Sequence, residues 1–236
     1  MTSKQKSGKD RLVVLDFDGF LINSYRLLQI TFEHFGLDVG DEERFRHRRK
    51  FLKYLGGGKE FLRNLVYYSL PRKKNFRRLL TDIYQERGYL YPEFVPLLNS
   101  LIAAPDLHVG VISRNYTCNP GLTIRAVLRN SGVDEKDLDF VIPVGVGVKK
   151  HAVLEAMRST RYRECLFGGD EVGDYRAAAE SGYESIIMAS YGFDNRKRLL
   201  NTGQVPDAII FDTPRQLAGA LSRRLNYAGI PEVLSA

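Results

Sequence analysis

The chain has little of what disulfide scaffolds, zinc sites and membrane spans are made from. Its two cysteines, Cys118 and Cys165, stand far apart and fit neither a metal spacing nor a disulfide framework, so each is read as a buried or plain surface residue. The four histidines, His34, His47, His108 and His151, show no metal-ligand spacing and are read as surface or packing residues. No apolar run approaches the roughly 18 to 20 residues a membrane-spanning helix needs. The opening "MTSKQKSGKD" is polar and basic, without the apolar core of a secretory signal, and a cytoplasmic protein with a short frayed tail is expected. Internal repeats and low-complexity tracts are also missing. What remains is an ordinary globular composition, 44% hydrophobic and 27% charged over 236 residues, enough for one sizeable core with a smaller lobe.

The net charge of +7 is local. Between Ser24 and Tyr91 fifteen Lys and Arg face eight Asp and Glu, an excess that accounts for the whole of it. A basic lobe draws anionic ligands, phosphorylated metabolites or nucleic acid, through its summed field; a solvated helical surface is the plainer reading. Nucleic acid is the less favoured partner, a small phosphorylated molecule the more favoured. Oligomeric state leaves no mark.

Outside that lobe, "RLVVLD", "LHVGVIS", "DFVIPV", "ECLFGGD", "SIIMAS" and "DAIIFD" read as short strands. Helical patterns lie between them, in "GLTIRAVLRNSG", "KKHAVLEAMRST", "DYRAAAESG" and "TPRQLAGALSRRL". This alternation predicts an α/β fold, a Rossmann-like parallel sheet with helices on both faces. From Ser24 to Tyr91 the patterns are helical throughout, broken by Gly or Pro, and Tyr91-Pro92 marks a return to the core. The expected organisation is a discontinuous core domain over 11–23 and 92–230, an all-helical insertion over 24–91, and flexible termini at 1–10 and 231–236.

In an open parallel sheet ligands bind beyond the carboxyl ends of the strands, so the residues there matter most. The first strand delivers Asp16 and Asp18, the second Ser113 followed by Arg114 and Asn115, and the fourth Gly169-Asp170 with Glu171 and Asp174 close behind; Lys149 and Lys150 open the helix after the third. Grouped carboxylates make a hard oxygen site suited to Mg²⁺. A carboxylate can also attack phosphorus and split one difficult displacement into two easier ones, provided a cation and a lysine neutralise the approaching anion. The arrangement therefore permits phosphoryl transfer.

Asp16-Phe17-Asp18-Gly19, Ser113, one lysine of the Lys149-Lys150 pair, and Gly169-Asp170-Glu171-Val172-Gly173-Asp174 resemble, in order, the four motifs of the haloacid dehalogenase (HAD) superfamily. The closing "SGYESIIMASYGF" and "VPDAIIFDTPRQL" look like those of its phosphoglycolate phosphatase-like members. The resemblance implies Asp16 as nucleophile and Asp18 as general acid/base. It implies Mg²⁺ held by Asp16, the main-chain carbonyl of Asp18, Asp170 and Asp174, with Glu171 as a further candidate. Ser113, Arg114, Asn115 and Lys150 would bind phosphate, with Lys149 the alternative to Lys150. The insertion would be a C1-type helical cap that closes over the site.

The resemblance also implies a Mg²⁺-dependent phosphatase for a small phosphorylated metabolite, because members that dehalogenate usually lack the acid supplied here by Asp18. The rivals are a phosphomutase on the same scaffold and a catalytically weakened protein that binds an anionic partner through its basic cap. Two features depart from the family pattern. Phe20 stands where Thr or a smaller residue is usual and is expected to narrow the passage beneath the cap. "RNYTCNPG" is longer than the usual run after the second motif and is expected to reshape the rim.

Overall fold

The computed structural model describes residues 8–36, 73–145, 147–158 and 162–225. Within the expected insertion, residues 37–72 lie outside them, among them the crowded basic residues Arg44, Arg46, Arg48, Arg49 and Lys50, glycines 56–58, Tyr67 and Tyr68, as do residues 1–7 and 226–236 of the termini.

Among the described residues six parallel strands form one sheet in the order β3-β2-β1-β4-β5-β6. They are β1 (Arg11–Leu15), β2 (Leu107–Ser113), β3 (Phe140–Pro143), β4 (Glu164–Gly169), β5 (Ser185–Ala189) and β6 (Ile210–Phe211). The helices are α1 (Ser24–His34), α2 (Lys73–Arg87), α3 (Phe94–Ala103), α4 (Pro120–Asn130), α5 (Lys150–Met157), α6 (Val172–Glu180), α7 (Arg196–Gly203) and α8 (Pro214–Leu225). None is long and apolar enough to cross a membrane, among the described residues.

β1 explains why its residues are apolar without alternation. Val13 and Leu15 belong to the core on one face, with Phe94 and Leu97 of α3, Val127 of α4 and Leu217 of α8. Leu12 and Val14 belong to the other, with Leu154 of α5 and Ala177 and Ala178 of α6. A strand covered on both faces has no solvent side to keep polar. Both neighbours of β1 in the sheet come from far along the chain: Leu15 pairs with Val111 of β2 and with Gly168 of β4. The strand order reverses there, so the ends of β1, β2 and β4 share one crevice.

The chain leaves the core after β1 and returns beside its own exit. Ile22 and Leu90 form an antiparallel bridge, and the Tyr91 N–H donates to the Leu21 carbonyl at 3.0 Å. Between these points α1 and α2 pack on each other through Phe32 and Phe76, whose ring centroids are 4.7 Å apart. Asn23 starts α1 by accepting from the Arg26 N–H, as an N-cap side chain should. Asp10, at the N-terminal end of the described chain, is tied to the Asp106 carbonyl, and Lys9 pairs with Asp139 at 2.6 Å. Cys118 is exposed and Cys165 buried, both free thiols; burial pushes the Cys165 thiol up to about 11, which leaves it inert as a nucleophile.

Candidate active site

The turn after β1 carries the two acids on different errands. Asp16 is buried, its N–H donates to the Gly168 carbonyl at 2.8 Å, and its own Oδ1 accepts from the Phe17 N–H. Phe17 is fully buried between the acids. Gly19 then bends the chain at φ +80°, and a Cβ there would collide with Asp170 Oδ2. Glycine is thus required twice over, for the backbone angle and for the closeness of β4's acid.

Lys150 is the lysine that enters the site. Its Nζ donates to Asp16 Oδ2 at 2.9 Å and to Asp174 Oδ1 at 2.6 Å, while Lys149 caps α5 and is exposed. Asp174 sits in the first turn of α6, and its Oδ2 accepts from the N–H groups of Asp170 and Glu171 at 3.4 and 3.2 Å. Asp170 is fully buried; Oδ2 accepts from the Phe193 N–H at 2.6 Å, and Oδ1 has no partner.

Lys150 therefore pairs with two of three buried carboxylates, Asp16, Asp170 and Asp174, each offering an oxygen within 4.8 Å of the others, and leaves Asp170 without a cation. Burial would raise Asp174, but the Lys150 charge and hydrogen bond outweigh it and hold this carboxyl below the usual range. Burial raises Asp16 well above it, with Lys150 opposing and Asp174 reinforcing. Asp170 is raised by burial and then by Asp16, Asp174 and Glu171, with only the Phe193 N–H against. Lys150 is held protonated by the two carboxylates it touches, against the opposing effect of burial.

This donor set suits a hard divalent cation. It is all oxygen, it is short of positive charge, and the orphaned Asp170 Oδ1 is a buried acceptor left for a ligand. Asp16, Asp170 and Asp174 would hold the ion. Glu171 lines the neighbouring cavity half-buried and is not among the three clustered acids.

Asp18 faces a separate cage. Ser24 Oγ and Tyr84 Oη donate to its Oδ1 at 2.8 and 2.7 Å, Ser113 Oγ donates to its Oδ2 at 2.9 Å, and the Asn115 amide reaches both oxygens at 3.3 and 3.0 Å. Asn115 is itself braced by the N–H and hydroxyl of Thr117 on its Oδ1. Ser113 and Asn115, expected to bind phosphate, are thus engaged with the second acid here. Arg114 is exposed at the rim, its Nη2 on the Val148 carbonyl at 3.1 Å. Burial and the Asp18 carboxylate push the Tyr84 phenol up, so it stays a hydrogen donor.

Ser24 and Tyr84 were not legible as site residues in the sequence. A hydroxyl eight positions past Asp16 and a tyrosine on a helical stripe carry no local signature. Phe20 corrects an expectation: it does not line the passage. Its ring is fully buried against Phe94 at 5.8 Å between centroids and fills the space over Gly168, where a Cβ would come within 2.5 Å of Phe20 Cζ. The cavity above the acids, about 750 Å³, is lined on the α1–α2 side by Leu28, Leu80 and Tyr84 and on the core side by Tyr116, Lys149 and Arg176.

The sheet order β3-β2-β1-β4-β5-β6 and its parallel crossovers define a fold, and solved structures share it. The chain has the haloacid dehalogenase fold. It is similar to a haloacid dehalogenase-like family hydrolase from Streptococcus pneumoniae, with TM-score 0.58 and 17% identity, covering 90% of this chain and 99% of that one. A candidate β-phosphoglucomutase from Thermotoga maritima gives 0.59 and 18%, covering 90% and 99%. CbbY from Rhodobacter sphaeroides in complex with phosphate gives 0.56 and 20%, covering 78% and 88%. No protein-family model and no curated protein matches the sequence.

Proposed function

We propose that this chain is a phosphatase that hydrolyses a small phosphorylated metabolite through a phosphorylated Asp16. The observation that carries the reading is the triad of buried carboxylates around Lys150, a cluster with too little positive charge unless a divalent cation joins it. Such an ion, Mg²⁺ by its preference for oxygen ligands, supplies the charge neutralisation that lets an anionic ester approach a carboxylate.

The chain's own groups account for the remaining steps. An Asp16 oxygen forms a bond to phosphorus as the ester P–O bond breaks, and the electron pair leaves on the alcohol oxygen, which takes a proton from Asp18. Water then attacks the phosphorus of phospho-Asp16 and returns a proton to Asp18, and the Asp16 carboxylate departs. Lys150 keeps Asp16 oriented and offsets its charge. The half-buried Asp18, braced on both oxygens, is held where a proton can pass to the cavity.

The helices inserted between β1 and α3 serve, in this reading, as part of a cap over the cavity, with core segments at 11–23 and 92–230. Asp16→Asn keeps the shape and removes the nucleophile. It is expected to abolish release of phosphate from a phosphate ester, as is chelation of the divalent ion; full turnover by the variant refutes the assignment. A mutase shares the first half of this chemistry, and product analysis separates the two, since a mutase yields an isomer with little free phosphate.

A further inference from the structure

Three residues on one stripe of α2 reach across to the core. Arg77 donates from Nε to the Tyr116 carbonyl at 2.9 Å and from Nη2 to the Thr117 carbonyl at 2.6 Å. Thr81 accepts from the Cys118 N–H at 2.8 Å. Tyr84, 3% exposed, donates to Asp18 at 2.7 Å. Spacings of four and three put these side chains on a single face. Further along the helix, the Asn130 amide on α4 donates to the Gln85 carbonyl at 2.7 Å.

The stripe grips the segment that follows Ser113, and that segment supplies Asn115, another donor to Asp18. Helix and loop are thus fastened to each other, and both are fastened to the same carboxylate. A rim shaped by the longer "RNYTCNPG" run is the loop that α2 clasps. α2 is consequently fastened to the core at the rim of the cavity, although it lies within the inserted segment.

We propose that Tyr84 is a positioning residue for proton transfer at Asp18, fixed in place by the Arg77 and Thr81 contacts of its helix. This rests on the phosphatase reading above. Ser24 donates to the same oxygen from α1, at the exit of the insertion; Tyr84 donates from α2, near its return. Asp18 is thereby oriented by both ends of the insertion together with β2. A carboxyl that must give a proton to a departing alcohol gains from being held at one angle, and a lost charge-assisted hydrogen bond costs about ten-fold or more in rate where that angle matters.

Tyr84→Phe removes the hydroxyl and keeps the ring in its packing. The test compares kcat/KM on two esters in Mg²⁺, glycerol 2-phosphate, whose alkoxide needs a proton to leave, and p-nitrophenyl phosphate, whose phenolate leaves without one. The expected result is a fall of about ten-fold on the alkyl ester and less than about two-fold on the aryl ester. A loss of folded protein lowers both esters alike, so the ratio isolates the proton step. An equal fall on both, or no fall on the alkyl ester, overturns the proposal while leaving the phosphatase reading standing. Wild-type protein that releases phosphate from neither ester, nor from a panel of phosphorylated sugars, organic acids and nucleotides in Mg²⁺, refutes the phosphatase reading, and this inference with it.

Discussion

Asp170→Asn should make the metal-free protein more stable and the metal-loaded protein less so. The carboxylate is fully buried, its Oδ1 has no partner, and its neighbours Asp16 and Asp174 are also acids. An unsatisfied buried acceptor costs about 1–3 kcal/mol, more when charged. An asparagine can keep the bond from the Phe193 N–H on its oxygen and turn its amide toward the facing acids. At about 2–4 °C per kcal/mol for a chain of this size, the metal-free variant should melt about 2 to 12 °C above wild type. Mg²⁺ at a thousand times its Kd adds about 4.1 kcal/mol to a protein that binds it, so the wild type should rise past the variant, which should hardly move. The pH dependence has a definite sign. A carboxylate raised in the folded state contributes stability in acid that is lost as pH climbs from the ordinary carboxylate range through the folded value. The variant's advantage should therefore vanish in acid and grow toward neutrality. Thermal melts with and without Mg²⁺ across pH measure all of this, and a metal-free variant no more stable than wild type at neutral pH refutes the charge argument.

Two further substitutions probe other parts of the structure. Lys150→Met should abolish turnover and cost about 3–5 kcal/mol of stability, measured by urea titration, because it strands Asp16 and Asp174 without their cation; Lys149→Met, at the exposed neighbour, should leave stability unchanged. Phe20→Ala should cost about 3–5 kcal/mol by the same titration with KM unchanged, since the ring packs on Phe94 and Gly168 and does not face the cavity; a shift in KM without loss of stability contradicts its placement.

The strands were legible because burial on both faces leaves near-continuous apolar runs such as "RLVVL", and the acids were legible because they follow those runs directly. Lys150, with Lys149 as its rival, needed the structure: periodicity cannot tell which of two adjacent residues points inward, whereas the hydrogen bonds to Asp16 and Asp174 can. The cage on Asp18 was hidden for another reason. Its donors Ser24, Tyr84 and Asn115 come from 6, 66 and 97 residues away, and only packing brings them together. Helix α7 went unread because "RKRLLNTG" offers little apolar periodicity, although Asn195 before it is a good N-cap, accepting from the Arg198 N–H. Phe20 misled because a sequence shows a residue's neighbours along the chain and not the gap over Gly168 that its ring fills.

The central place of β1 also governs how the protein is made. Its site bonds span 95 residues between Asp18 and Ser113 and 134 between Asp16 and Lys150, so no local piece of chain can assemble them. β1 must wait for both later neighbours, β2 and β4, to be threaded alongside it, which is slow, long-range closure. In refolding, recovery of turnover should trail recovery of helix signal, and a truncated or half-folded chain should be inert. Activity in this architecture is a late and stringent report that the whole sheet has closed.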